Sequence, residues 1–335
     1  MAKGALGWLG LVSGVTRTLL VLIVAGLTIT AGTALYFHRQ LTVPGPLAAE
    51  VNVTIQRGTG TEHIAGVLVA EGVINDPSMF VLSARVLARV RPLRAGEYAF
   101  TPGISVLGAI GLLQSGQTVV RSLTVPEGLT TSQVLDLITA ADGLQGTVPS
   151  VQGQGGLLPE TYHYTWGDDA AEMVERMRRA MVETLTELWL NREEALPYHT
   201  PYEALILASM VEKETSLPQE RSHVAAVFVN RLRLGMRLQS DPTVVFALTQ
   251  GRGPLGQALT RKNLRIQDPY NTYIIDGLPP GPITNPGHAS LKAALHPMDS
   301  EDLFFVADGN GGHVFAKTLQ EHQRNVTRWR DLNRR

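Results

Sequence analysis

The chain has 335 residues, 44% hydrophobic and 18% charged, with 33 Gly and 19 Pro, a globular composition rather than a disordered, collagen-like or low-complexity one. A formal net charge of -1 argues against a nucleic-acid-binding body, which carries a basic excess. The absence of cysteine excludes disulfides, thiolate zinc sites, iron–sulfur clusters and cysteine nucleophiles.

Charge is unevenly distributed. Between Arg17 and His38 no charged residue occurs, and the 20 residues from Thr18 to Phe37 match a hydrocarbon core of roughly 30 Å at about 1.5 Å rise per residue. Lys3 and Arg17 are unopposed by acids, which predicts residues 1–17 in the cytoplasm and everything after the 18–37 anchor outside it. A cleaved signal peptide is the alternative. Against it, the apolar run exceeds the roughly 7–15 residues of a signal core, and Tyr36-Phe-His-Arg39 is a poor cleavage site.

Residues 38–49 read as a linker stiffened by Pro44 and Pro46. A small α+β module follows over residues 50–123. Its expected elements are strand Val51–Ile55, a helix through Ile64 and Leu68 stopped by Gly72, helix Ser78–Arg89, strand Gly96–Phe100, helix Ile104–Leu113 and strand Val119–Val125. Residues 124–156 read as a connecting segment holding helix Ser132–Ala141 and an exposed Gly/Gln patch, Gln152–Gly156, with no lysine to make it a phosphate loop.

A larger α+β domain is expected over residues 157–335. Ala170–Arg192 is an amphipathic helix, Tyr202–Thr215 the most apolar helix beyond the anchor, and Pro218–Leu234 a helix capped by Ser216. The text then turns loop-rich around Gln239–Thr243, Asp268–Tyr273 and Gly277–Gly287. Helix Ala289–Leu295, strand Leu303–Ala307 and a terminal helix from Leu319 close the domain.

The usual catalytic signatures are missing: no H-E-x-x-H, G-x-S-x-G, Walker loop or G-x-G-x-x-G, and the nine His lack metal-ligand spacing, so no metal or cofactor is expected. Carboxylates remain. Steps of three and four back from Glu214 reach Val211, Met210 and Leu207, so Glu214 ends an apolar stripe, whereas Glu212 faces Ser209, Ala208 and Leu205. At a helix C-terminus both the macrodipole and apolar surroundings disfavour a carboxylate, which raises its pKa and suits a general acid for glycosidic cleavage. The alternative is that Glu212 and Glu214 are both solvated and paired with nearby Arg or Lys.

Several segments resemble the MltG (YceG-like) family of membrane-anchored endolytic murein transglycosylases. They include Ala208-Ser-Met-Val-Glu-Lys-Glu-Thr215, Val224–Arg233, Gly235-Met-Arg-Leu-Gln-Ser-Asp-Pro-Thr-Val244, Pro269-Tyr-Asn-Thr-Tyr273, Gly277–Gly287, Phe305-Val-Ala-Asp-Gly309 and Glu321-His322. Upstream, Ala95-Gly-Glu-Tyr98, Val125-Pro-Glu-Gly128 and Leu158-Pro-Glu-Thr-Tyr162 continue the likeness. Phe246-Ala247 and Gln323 depart from it, standing where the family usually has Tyr-Gly and Asn. The resemblance implies that Glu214 is the catalytic acid, that module 50–123 is LysM-like, and that peptidoglycan synthases (penicillin-binding proteins) are partners in a bacterial inner membrane.

A lyase of this kind protonates the bond between N-acetylmuramic acid and N-acetylglucosamine and closes a 1,6-anhydro ring with the sugar's own C6 hydroxyl, so one carboxylate serves twice. An ordinary glycosidase needs two, and Asp241 is the candidate for a second; its Gln-Ser-Asp-Pro context also reads as a turn cap. Gln239, Ser240, Asp241, Tyr270, Asn271, Tyr273 and Asn285 are the groove candidates, offering amides, hydroxyls and rings to sugars, although Asn271 and Asn285 could equally hold turns beside proline. Alternatives are a hydrolase on the same bond and a non-catalytic peptidoglycan-binding scaffold.

Overall fold

The computed structural model describes residues 5–332, with side chains from residue 17 onward; the flanking Lys3 lies outside the described residues. The chain divides into two compact units, the first ending at Val120 and the second beginning at Arg121. Helix and sheet are mixed in both, the α+β class expected.

The first unit starts with helix α1 (Ala5–Thr42), whose stretch Arg17–Thr42 is long and apolar enough to cross a membrane. Its leucines, valines and isoleucines from Leu19 to Leu35 are exposed. α1 runs five residues past the expected anchor and stops before Pro44, which cannot donate to a helical ladder. The expected linker is also pinned to the module: the Gly45 N–H donates to the Gly103 and Ile104 carbonyls, and a Cβ at Gly45 would strike the Ile104 oxygen. Strand β1 (Val51–Ile55), helices α2 (Thr61–Ala70) and α3 (Pro77–Leu87) and strand β2 (Gly96–Phe100) follow, with β1 and β2 antiparallel and Val53 opposite Tyr98. Helix α4 (Val106–Ser115) completes a core of Leu68, Phe80, Tyr98, Phe100, Ile110 and Leu113.

The second unit has two hydrophobic clusters. Strands β3 (Val120–Thr124) and β4 (Thr161–Thr165) pair, and with helices α5 (Thr131–Ala140) and α6 (Ala170–Leu190) they enclose Val134, Ile138, Leu157, Met173 and Met177. The Gly/Gln patch is less exposed than expected. Gln154 Oε1 accepts from the Thr131 N–H at 2.6 Å, and a Cβ on Gly155 would press on Pro282.

The other cluster forms around helix α7 (Pro201–Glu214), packed by α8 (Arg221–Arg233), α10 (His288–Leu295) and α6. Between α8 and α10 the loop expected at Gln239–Thr243 instead runs into a helix, α9 (Asp241–Thr249): Pro242 sits in its first turn, where a missing N–H costs nothing. Strands β5 (Phe304–Ala307) and β6 (His313–Ala316) form a hairpin whose turn is held by Asp308 Oδ1 accepting from the Asn310 and Gly312 N–H groups. Helix α11 (Leu319–Leu332) ends the described chain.

Candidate active site

α7 is anchored at its start and buried along its length. Thr200 and Glu203 form a reciprocal capping box, Pro201 opens the first turn, and every residue from Ala204 to Val211 is buried. The one polar side chain in that run, Ser209, is satisfied: it donates to the Ile206 carbonyl and accepts from the Ile283 N–H at 3.0 Å. Such a helix cannot rotate or slide without unpacking its core. Its last residue is Glu214. The chain then extends at Thr215, whose hydroxyl accepts from the Leu217 N–H; Ser216, expected to cap the next helix, is exposed instead.

Glu214 faces a cavity of about 240 Å³ lined also by Arg231, Leu238, Gln239, Asp241, Tyr273, Phe305 and His322. Ser240 Oγ donates to Glu214 Oε1 at 2.5 Å, and Tyr273 donates its phenol to Asp241 Oδ1 at 2.5 Å. Protein atoms enclose the carboxyl, so desolvation pushes its pKa up to about 7. The Ser240 hydrogen bond and the Arg231 charge pull the other way, and the Asp241 charge adds to the rise. Arg231 is not committed to Glu214: its Nε donates to the Leu303 carbonyl at 2.7 Å and Nη1 to the Leu238 carbonyl at 2.6 Å. Burial, with help from Arg231, lowers the His322 pKa and keeps that imidazole neutral near pH 7.

Glu212 has the opposite fate: it pairs with an arginine, as the alternative has it, but is buried rather than solvated. Its side chain is 5% exposed, with Oε1 3.2 Å from Arg221 Nη2 and Oε2 accepting from the Gly287 N–H at 3.0 Å. The same Arg221 nitrogen reaches Glu127 at 2.7 Å. A Cβ at position 287 would overlap the Glu127 side chain as it stands, so a larger residue there must push that carboxylate aside.

Four of the seven groove candidates gather around Glu214: Gln239, Asp241 and Tyr273 line the cavity, and Ser240 bonds the acid. Asp241 opens α9 and holds Tyr273, rather than capping a turn. Asn271 and Asn285 do not reach the cavity. Both are fully buried: Asn271 donates to the Leu264 and Ile266 carbonyls, while Asn285 accepts from the Leu157 N–H and donates to the Leu129 carbonyl. Tyr270 packs its ring on Phe246, with 4.7 Å between centroids, and is not among the cavity's walls. Sequence reasoning missed Arg231 and His322. Arg231 carries a legible signal, a cation three and seven residues beyond Phe228 and Val224 on a buried face. His322, on a polar helix, is marked only by the Glu321-His322 pair of the family resemblance.

The YceG-like family matches residues 53–328. Over 307 aligned residues the chain is 30% identical to the endolytic murein transglycosylase of Bacillus subtilis (strain 168), covering 82% of this chain and 83% of that protein. It is 27% identical over 325 residues to the endolytic murein transglycosylase of Streptococcus pneumoniae serotype 2 (strain D39), covering 82% of this chain and 58% of that one. A crystal structure of a YceG-like protein from Listeria monocytogenes aligns with a TM-score of 0.50 and 30% identity over 83% of this chain and 99% of that one. The likeness runs from the first unit through α11, and the chain belongs to the YceG-like family.

Proposed function

We propose that the protein is a membrane-anchored endolytic lytic transglycosylase of peptidoglycan, a lyase that cleaves between N-acetylmuramic acid and N-acetylglucosamine and leaves a 1,6-anhydro-muramic end. The observation that carries this reading is a carboxyl held near pKa 7 in a cavity whose other groups neither neutralise nor saturate it. The names of the Bacillus and Streptococcus relatives support the same substrate.

Ser240 occupies Oε1, so the acid proton belongs on Oε2. Glu214 passes that proton to the glycosidic oxygen as the C1–O4 bond breaks and an oxocarbenium-like centre develops. The resulting carboxylate takes the proton of the C6 hydroxyl, whose oxygen bonds to C1 and closes the ring. No water is consumed, and the acid ends as it began. Arg231 steadies the charge that Glu214 carries between the two steps. Asp241 in the same cavity favours a second reading, hydrolysis with Asp241 directing a water, although its Oδ1 is already engaged by Tyr273.

The apolar helix through 18–37 supports a single-pass anchor in the bacterial plasma membrane, with the N-terminus cytoplasmic and the rest extracytoplasmic. The strand–helix–helix–strand order within 50–123 supports a LysM-like glycan-binding module ahead of a catalytic domain at 157–335. An enzyme so placed ends nascent strands near the synthases that extend them. Mass spectrometry of fragments released from peptidoglycan by the full chain in detergent tests the reaction. Anhydro ends, one water lighter than reducing ends and absent with Glu214→Gln, are expected. Reducing ends would move the assignment to hydrolysis, and no fragments at all would leave a scaffold.

A further inference from the structure

A second cavity, of about 340 Å³, has Lys213 and Pro242 in its wall where the first has Glu214 and Asp241. Neighbouring positions on a helix point about 100° apart, so the ends of α7 and α9 divide two spaces of unlike charge. The first holds two carboxyl groups. The second has no acidic residue in its wall, and its cation is Lys213. Among the described residues Lys213 has no carboxylate partner; its Nζ donates only to the Gly128 carbonyl, at a long 3.3 Å. Gln133 supplies a further donor: its Oε1 is taken by the Thr130 N–H at 2.9 Å, leaving the amide nitrogen free for a ligand. Phe246 and Ile283 give the cavity an apolar side.

We propose that this second cavity binds the anionic peptide stem that muramic acid carries on its lactyl ether. The inference rests on the proposed function and deepens it. A strand whose glycosidic oxygen lies against Glu214 must keep its peptide carboxylates away from Asp241, since like charges in a desolvated site repel strongly. Lys213, one residue from the acid and round the same helix, offers the nearest unneutralised positive charge among the walls of both cavities besides Arg231, which is buried and bonded to carbonyls. A carboxylate there gains a charge-assisted hydrogen bond, and the small apolar side chains of a stem peptide find Phe246 and Ile283. Cleavage then prefers strands that still bear their stems.

The test compares the full chain in detergent on uncrosslinked strands bearing stems and on the same strands after their stems are removed by an amidase. Lys213→Met is expected to lower the ratio of kcat/KM for stem-bearing over stripped strands about tenfold, mainly through KM. Lys213→Arg keeps most of the preference, and added salt erodes it in the wild type. A ratio unchanged by Lys213→Met, or a wild type with no preference, overturns the proposal. Binding of both strand types to Glu214→Gln, with and without Lys213→Met, separates the two readings. If the wild type releases no anhydro ends the proposed reaction fails, while the binding ratio still decides for or against the stem site.

Discussion

Glu212 is met by a guanidinium and a backbone N–H, whereas Glu214, two residues on, is met by one hydroxyl and shares its cavity with a second carboxyl. Both side chains are withdrawn from water by the same helix end. What differs is the supply of partners. A buried carboxyl given matched donors ties segments together; one given too few is pushed toward its neutral form and becomes able to donate a proton. Burial alone therefore does not distinguish a structural acid from a reactive one, and the count of donors does.

Exchanging the two roles should produce losses of different kinds. Glu214→Gln should lower release of glycan fragments by about 10³-fold, as for loss of a general acid, while leaving the circular dichroism spectrum unchanged. The same variant should change the pH dependence of stability. With a folded pKa of about 7 against an ordinary 4.5, the wild-type carboxyl holds its proton longer when folded, so its stability falls as pH rises from about 4.5 to 7 and levels off above. Thermal unfolding of the variant should lack that component, and parallel curves would show that the carboxyl is not perturbed.

Glu212→Ala should instead cost about 3 kcal/mol in urea unfolding, because Arg221 is left with less of its buried charge matched. Arg221 already has a buried Nε without a partner, so little slack remains. If Glu212→Ala unfolds like wild type, the knot with Glu127 and Gly287 is not structural. Asn285→Ala should cost about 2 kcal/mol by orphaning the buried Leu157 N–H, with KM unchanged; the Leu129 carbonyl keeps the Asn285 N–H and the Thr284 hydroxyl. A raised KM at intact stability would return Asn285 to the groove. Smallest, Ser240→Ala should slow cleavage about tenfold and move the alkaline limb of the pH–rate profile upward, since the lost hydrogen bond had been lowering the Glu214 pKa.

The chain order of helices and strands was largely legible because most elements carry their own period, as the apolar run from Ala204 to Val211 does. α9 was not, since Ser-Asp-Pro serves equally as a turn and as a helix start, and only packing against α7 decides between them. Glu214 stood out through the stripe behind it. Of the walls around it, Gln239, Asp241 and Tyr273 were legible as sugar-binding residue types, whereas Arg231, Phe305 and His322 were not, because they come from three separate segments whose meeting is a tertiary fact. Asn271 and Asn285 show the limit of residue type: an amide beside a tight turn satisfies backbone or sugar equally well, and here backbone takes both.

The cavity draws its walls from positions 214 to 322, the last supplied by the terminal helix α11. Contacts of such long sequence separation form late, once the intervening chain has been made and threaded to its destination. A nascent chain that has not yet folded α11 holds Glu214 and Ser240 but lacks His322 in the cavity wall. The wall of this cavity is thus completed by the segment that lies farthest along the chain from the glutamate among its lining residues.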